Sequence, residues 1–256
     1  MNKFLTKSME KIFNTLGSNL DEFKDKTILI TGANGLIGGF LSEFFMYLND
    51  EHDFNSKLVL TSLSDDPKRL GNLIYRKDVQ YYSRDLTNDS WFFDEIDFCI
   101  YCAGYAQPNK FLSDAEKTYQ LNVDAMVRTF QSVMFERKKS KMLFISSSEV
   151  YALNDITKPH CETDELKLDL WHKRAPYIIG KVTGEYNVGL LREKGYNVKS
   201  ARVSLCYGPG HVMEDTRVMS ELTLKGIENE TINLFDDGSA FRKYQHISDC
   251  CIMLIN

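Results

Sequence analysis

Tyr177 and Lys181 stand four positions apart in the run Tyr177-Ile178-Ile179-Gly180-Lys181, and on a helix that spacing puts both side chains on one face. An ammonium beside a phenol favours the phenolate and lowers the tyrosine pKa from its usual value of about 10, which makes the pair an acid/base device near neutrality. The same spacing occurs in ordinary solvated helices, so its meaning depends on its company. Upstream lies Phe144-Ile145-Ser146-Ser147-Ser148-Glu149-Val150-Tyr151, an apolar run that ends in hydroxyls and a carboxylate. As a strand of an open parallel sheet, this run delivers its polar end to the carboxyl edge, where such sheets bind ligands.

A third group is Ile28-Leu29-Ile30-Thr31-Gly32-Ala33-Asn34-Gly35-Leu36-Ile37-Gly38, with glycines spaced G-x-x-G-x-x-G between an apolar strand pattern and a helical one. Gly32 permits a tight turn, Gly35 lets backbone approach a pyrophosphate, and Gly38 allows close helix-to-strand packing, while the helix N-terminus offers unpaired N–H groups to an anion. The spacing differs from the G-x-G-x-x-G form of the dinucleotide fingerprint. At the end of the second strand, where an acidic residue binds the ribose of NAD, the chain has Thr61-Ser62, followed by Asp65, Asp66, Lys68 and Arg69. This favours NAD and leaves NADP open.

These groups need strands that end together and helices that begin there. Apolar runs at 27–31, 58–61, 79–82, 98–102, 142–146 and 198–203 alternate with helical patterns at 36–48, 114–137 and 177–193, the signature of a parallel sheet covered on both faces. The expected fold class is therefore α/β. Ahead of it, Phe4, Leu5, Met9, Ile12, Phe13, Leu16, Leu20 and Phe23 recur at helical spacing, so 1–24 reads as an amphipathic extension that serves packing or a partner contact. Residues 25–204 then form the dinucleotide domain with the catalytic groups, and 205–256 a substrate-binding part that reads as shortened.

The bulk numbers narrow the class. With 256 residues and 43% hydrophobic content the chain can bury one substantial core. A net charge of -5, with basic residues interspersed among acids, offers no track for a nucleic-acid backbone. No apolar run approaches the ~18 residues that span a bilayer, and the first residues lack a signal-peptide pattern, so a cytoplasmic protein is expected. The six cysteines suit that compartment. Cys99 and Cys102 form a C-x-x-C inside an apolar run and are read as core packing, and no histidine pair has metal-ligand spacing, so no metal is expected.

The run from Thr31 to Gly38 resembles the glycine loop of short-chain dehydrogenases/reductases. With Ser147, Tyr177 and Lys181, the chain from about Lys26 onward resembles the extended members of that family, the NAD-dependent epimerases and dehydratases that modify nucleotide-sugars. The resemblance implies a Rossmann-type doubly wound parallel sheet with a small C-terminal substrate-binding part. It implies cofactor contacts from Gly32, Asn34, Gly35, Leu36, Ile37 and Gly38, from the pair Asp85-Leu86, from Ala103-Gly104, from Asn122, and from Tyr177 and Lys181. It further implies that Tyr177 takes the proton of a sugar 4-hydroxyl, that Ser147 shares its hydrogen bond, that Lys181 holds the cofactor ribose, and that the helices at 114–137 and 177–193 pair across a homodimer axis.

Oxidation at C4 acidifies C5 and activates a C6 carboxylate, so epimerisation, 4,6-dehydration and decarboxylation share a first step. Sugar 4,6-dehydratases carry an aspartic acid where this chain has Ser148, a poor proton donor, whereas Glu149 is present as a base or polar anchor. Ser148-Glu149-Val150-Tyr151 is similar to the nucleotide-glucuronate decarboxylases, and by that resemblance Arg217 pairs with the nucleotide diphosphate and Arg242 with substrate near the sugar. Decarboxylation of a nucleotide-glucuronate is the expected reaction, with dehydration and epimerisation as alternatives. Ala152 in place of glycine departs from the family pattern, while Leu205 in place of a substrate-binding asparagine and the end of the chain at Asn256 favour a rival of another class, an NAD(P)-binding regulatory protein without turnover, which Ser147, Tyr177 and Lys181 oppose.

Overall fold

Six short runs make one all-parallel sheet in a computed structural model that describes residues 3–88, 93, 95–136, 139–155, 157–211, 215, 217–233, 237 and 243–256. The strands are β1 (Thr27–Thr31), β2 (Lys57–Ser62), β3 (Val79–Ser83), β4 (Phe98–Tyr101), β5 (Lys141–Ser147) and β6 (Asn197–Val203), in the order β3-β2-β1-β4-β5-β6. Strand alternation feeds two cores. Ile28, Ile30, Leu58, Leu60 and Ile100 point into one, and Leu29, Val59, Cys99 and Tyr101 into the other. Helix α2 (Leu36–His52) covers the first face; the short α3 (Pro108–Ser113) leads into α4 (Ala115–Asn122), which with α5 (Asp124–Glu136) and α6 (Ala175–Glu193) covers the second, and this is the doubly wound α/β arrangement expected from the sequence.

Two details differ from the sequence reading. The single helix expected over 114–137 is two, because Val123 adopts φ -116° and ψ -76° and separates α4 from α5. Asn122 therefore sits at a helix end, where it reaches the site described below. Cys102 lies past the end of β4 and belongs to the turn that follows.

The amphipathic N-terminal stretch is also part of the core. Helix α1 (Lys3–Leu16) and the 3-10 turn Gly17–Phe23 bury Met9, Ile12, Leu16, Leu20 and Phe23 in the cluster that holds α2 and α8 (Ile247–Ile255). Phe13 stacks on His52 with ring centroids 3.6 Å apart. Each such buried side chain is worth about 1.5–3 kcal/mol relative to exposure. Beyond β6, β7 (Leu205–Tyr207) pairs in parallel with β8 (Tyr244–His246), helix α7 (Val218–Ile227) lies between them in sequence, and α8 carries Ile247, Cys250, Cys251, Leu254 and Ile255 back into the same cluster. Among the described residues no helix is long and apolar enough to cross a membrane.

Candidate active site

The strand order reverses between β1 and β4, so the chain leaves these neighbours toward opposite faces and opens a crevice at their carboxyl ends. Thr31 Oγ1 ties the two exits together by accepting the N–H groups of Cys102 and Ala103, both at 3.1 Å. Gly32 turns there with φ +63°, and a Cβ on it would lie 2.8 Å from the Cys102 carbonyl oxygen. A Cβ on Gly38 would lie 2.6 Å from the Gly32 carbonyl oxygen, so the helix packs on the loop at a distance only glycine allows. Gly35 is exposed and N-caps α2 without a side-chain cap hydrogen bond. The first-turn N–H groups of Leu36 and Ile37 thus face a cradle that fits a diphosphate.

Around this cradle the expected cofactor residues divide into those at the crevice and those engaged by protein. Asn34 accepts the Arg69 N–H at 3.0 Å, so its side chain braces the loop. Asp85 accepts from Lys117 Nζ at 2.6 Å and Thr87 Oγ1 at 2.7 Å. Burial raises the Asp85 pKa, but Lys117 and Thr87 outweigh it and hold the carboxyl below the ordinary aspartate value. Leu86 is buried in the second core. Asn122 donates to the Thr118 carbonyl at 2.8 Å, while its buried Oδ1 has no hydrogen-bond partner among the described residues. That oxygen and Lys181 Nζ converge on Gly104: a Cβ there would stand 3.5 Å from one and 3.9 Å from the other. The opening is bounded by Ala103-Gly104, Asn122 and Lys181, a set the sequence reading had assembled on resemblance. These residues suit the ribose and nicotinamide half of NAD, because a buried acceptor and a buried amine match hydroxyl and amide donors and acceptors.

At the end of β5, Ser147 is buried, accepts the Glu149 N–H at 3.2 Å to cap the 3-10 turn Ser148–Tyr151, and lies near enough to Tyr177 to act on its hydroxyl. Tyr177 opens the first turn of α6 and stacks on Phe111 at 4.8 Å and 17°. Burial raises the Tyr177 phenol pKa, Glu149 raises it further, and Ser147, Arg174 and Arg217 pull it down, with a net rise. Helical spacing by itself predicts a phenol lowered by Lys181. The difference arises because Lys181 is buried too: its Nζ donates to the Ile145 carbonyl at 2.6 Å, and loss of hydration pulls its own pKa down to about 7 against the contrary pull of Cys102 and Glu185.

Beside this pair Glu149 Oε2 lies 2.9 Å from Arg174 Nη1, and the Arg174 guanidinium rests over the Phe111 ring at 5.5 Å. Ser148 is exposed next to them. Arg217 is engaged by Asp215, with Nε 2.9 and 3.0 Å from the two carboxylate oxygens, and Asp215 also takes His211 Nε2 at 2.9 Å. The expected diphosphate partner is thus held by a buried acid, within electrostatic reach of Tyr177. Arg242 lies outside the described residues.

Sequence reasoning missed Arg174, Phe111 and a brace behind the site in which Ser146 donates to Glu185, Glu185 accepts from Nε and Nη2 of Arg202, and Arg202 Nη1 donates to the Tyr151 hydroxyl. Glu185 stands four residues after Lys181 and Arg174 three before Tyr177, so helical spacing alone brought both within notice. Among the described residues no group of three or more His, Cys, Asp or Glu is arranged to hold a metal ion. Burial pushes the Cys102 thiol up to about 12 and raises Cys99 as well, as expected of packed thiols.

Comparison with known proteins places this geometry. The chain is 25% identical over 233 residues to UDP-glucuronic acid decarboxylase 1 of Xenopus tropicalis, covering 90% of the chain and 53% of the relative. It is 25% identical over 242 residues to dTDP-4-dehydro-6-deoxy-D-allose reductase of Streptomyces bikiniensis, covering 90% and 71%. The fold matches a UDP-N-acetylglucosamine 4-epimerase from Methanobrevibacter ruminantium at TM-score 0.75 and 20% identity, covering 91% of this chain and 72% of that one. It matches a dTDP-glucose 4,6-dehydratase from Streptomyces venezuelae, solved with NAD, at TM-score 0.75 and 17% identity, covering 90% and 70%. The chain spans about half the length of the decarboxylase relatives it matches. The model of the NAD dependent epimerase/dehydratase family matches residues 28–255, and with the glycine cradle, Ser147, Tyr177 and Lys181 at one sheet edge, the chain belongs to that family.

Proposed function

We propose that the chain is an NAD-dependent nucleotide-sugar-modifying enzyme that acts through transient oxidation at C4, and that its reaction is decarboxylation of a nucleotide-glucuronate. The observation that carries the reading is the neighbourhood of Ser147 and Tyr177. It holds a carboxylate, Glu149, paired with a cation, Arg174, and offers only Ser148 where elimination of a 6-hydroxyl calls for an acid. A C6 carboxylate leaves as carbon dioxide from a 4-keto sugar without an acid on the leaving group, and the C5 enolate it leaves takes a proton from solvent. The decarboxylase relatives support the same reading.

In this reading Tyr177 takes the proton of the sugar 4-hydroxyl and Ser147 aligns it. The protein favours that transfer by holding Arg174 and Arg217 near the developing phenolate. Bound NAD supplies the hydride acceptor. The α2 N-terminus holds its diphosphate, and Asn122, Gly104 and Lys181 line the part nearest Tyr177. Residues 25–204 act as the dinucleotide domain and 205–256 as the substrate-binding part. A homodimer in the cytoplasm is part of the proposal, with Tyr119 on α4 and Tyr186 and Leu190 on α6 exposed on the helices that would pair.

Incubation of the chain with NAD and a panel of UDP-glucuronate, UDP-glucose, dTDP-glucose and GDP-mannose, with products read by mass, tests the reaction class. Loss of carbon dioxide from the uronate is expected. A product lacking one water from a hexose overturns decarboxylation in favour of dehydration.

A further inference from the structure

We infer that Arg174 is the receptor for the substrate's C6 carboxylate, and that Glu149 is the counter-ion it exchanges for that carboxylate. The inference rests on the nucleotide-glucuronate reading. Four other arginines are held at several points: Arg69 takes both oxygens of Glu43, Arg76 takes Asp50 and Asp78, Arg202 takes both oxygens of Glu185, and Arg217 takes both of Asp215. Among the described residues Arg174 makes one contact to an acid, Nη1 to Glu149 Oε2 at 2.9 Å. The contact lacks hydrogen-bond geometry, so the buried Glu149 Oε2 has no hydrogen-bond partner among the described residues. The pair is an ion pair held by charge, which is the kind a better-placed carboxylate can replace.

The position of Arg174 is set independently of Glu149. Its guanidinium rests on Phe111, which stacks on Tyr177, and its carbonyl oxygen accepts the N–H groups of Tyr177 and Ile178 at the start of α6, both at 3.1 Å. A cation fixed one helical turn from the phenol is within reach of the substituent on C5 when Tyr177 engages the hydroxyl on C4, since those carbons are adjacent. The arginine side chain is 28% exposed and that of Glu149 25%, so neither is sealed in the core. Once the carboxylate is lost, a neutral sugar cannot compete with Glu149 for the fork. The exchange thus favours the acid over its decarboxylated product.

The test measures binding of UDP-glucuronate and of UDP-xylose, which lacks the carboxylate, to the NAD-loaded full chain by calorimetry, in a Tyr177→Phe background that holds turnover off. Arg174→Gln is expected to weaken UDP-glucuronate by about ten- to a hundredfold and to leave UDP-xylose within about twofold, as loss of a charged hydrogen-bond pair predicts. Glu149→Gln, which removes the competitor, is expected to shift the ratio the other way, tightening the uronate several-fold relative to UDP-xylose. An equal fall for both sugars in Arg174→Gln, or no change in the ratio in Glu149→Gln, overturns the exchange while leaving the nucleotide-glucuronate reading intact. Failure of the parental site to prefer UDP-glucuronate over UDP-xylose overturns that reading and the inference together.

Discussion

The Lys181 ammonium lies 2.6 Å from the carbonyl oxygen of Ile145, at the root of the strand that ends in Ser147. One backbone oxygen does not replace the hydration of a fully buried charge, so the Lys181 pKa falls to about 7 from an ordinary 10.5. Between those values the unfolded chain binds a proton that the folded chain does not, so stability rises with pH through that window. Below about 7 both states are protonated and the cost of the buried charge is fully present. We expect the NAD-free protein to gain about 1.4 kcal/mol per pH unit from this group between pH 7 and 10. Urea unfolding of the parent and Lys181→Met across that range checks it: equal pH slopes in the two proteins would show that Lys181 keeps its proton.

Tyr177→Phe removes one hydroxyl and leaves the stack on Phe111 in place. The expected outcome is a loss of about 10² to 10⁴ in the rate of cofactor reduction, with nucleotide-sugar affinity changed little. Stopped-flow absorbance of NADH reads the first quantity and calorimetry the second. A variant that reduces cofactor at the parental rate would remove Tyr177 from its role as base.

Two glycine substitutions should separate binding from folding. A side chain on Gly35 meets only the Gly32 carbonyl, at 3.1 Å, and otherwise projects from an exposed position into the cradle. Gly35→Val should therefore cost at least about tenfold in NAD affinity, the equivalent of one lost backbone contact to a phosphate, with a small change in melting temperature. Gly38→Ala puts a carbon 2.6 Å from backbone and should destabilise the fold by about 1–3 kcal/mol. Equal thermal losses in both variants would show that Gly35 serves packing instead.

Arg69 joins three segments. Its guanidinium meets Glu43 of α2 at 2.5 and 2.6 Å, its backbone N–H holds Asn34 of the glycine loop, and a Cβ on Gly210, where φ is +92°, would lie 2.2 Å from its Nε. The pair is largely buried, so removing one partner leaves an uncompensated charge. Glu43→Gln is expected to lower stability by about 3–5 kcal/mol, read by denaturant titration. A change below about 1 kcal/mol would place the pair with ordinary surface bridges.

Sequence alone determined the parts that local pattern encodes. Ile28, Leu29 and Ile30 had to form a buried strand, the glycine triplet had to turn into a helix, and the Tyr177–Lys181 spacing had to put both groups on one helical face. Because parallel strands end on one edge, Ser147 and the glycine loop could be placed together without coordinates. Tertiary structure decided what depends on burial and on partners distant in sequence. The break at Val123 that frees Asn122, the packing of Met9 and Ile12 against α8, the seating of Arg69 between Glu43 and Gly210, and the pairing of Glu149 with Arg174 join residues that no short window contains. The directions of the Tyr177 and Lys181 shifts belong to that second group, because spacing tells which groups are neighbours, whereas the water removed from each tells which charge survives.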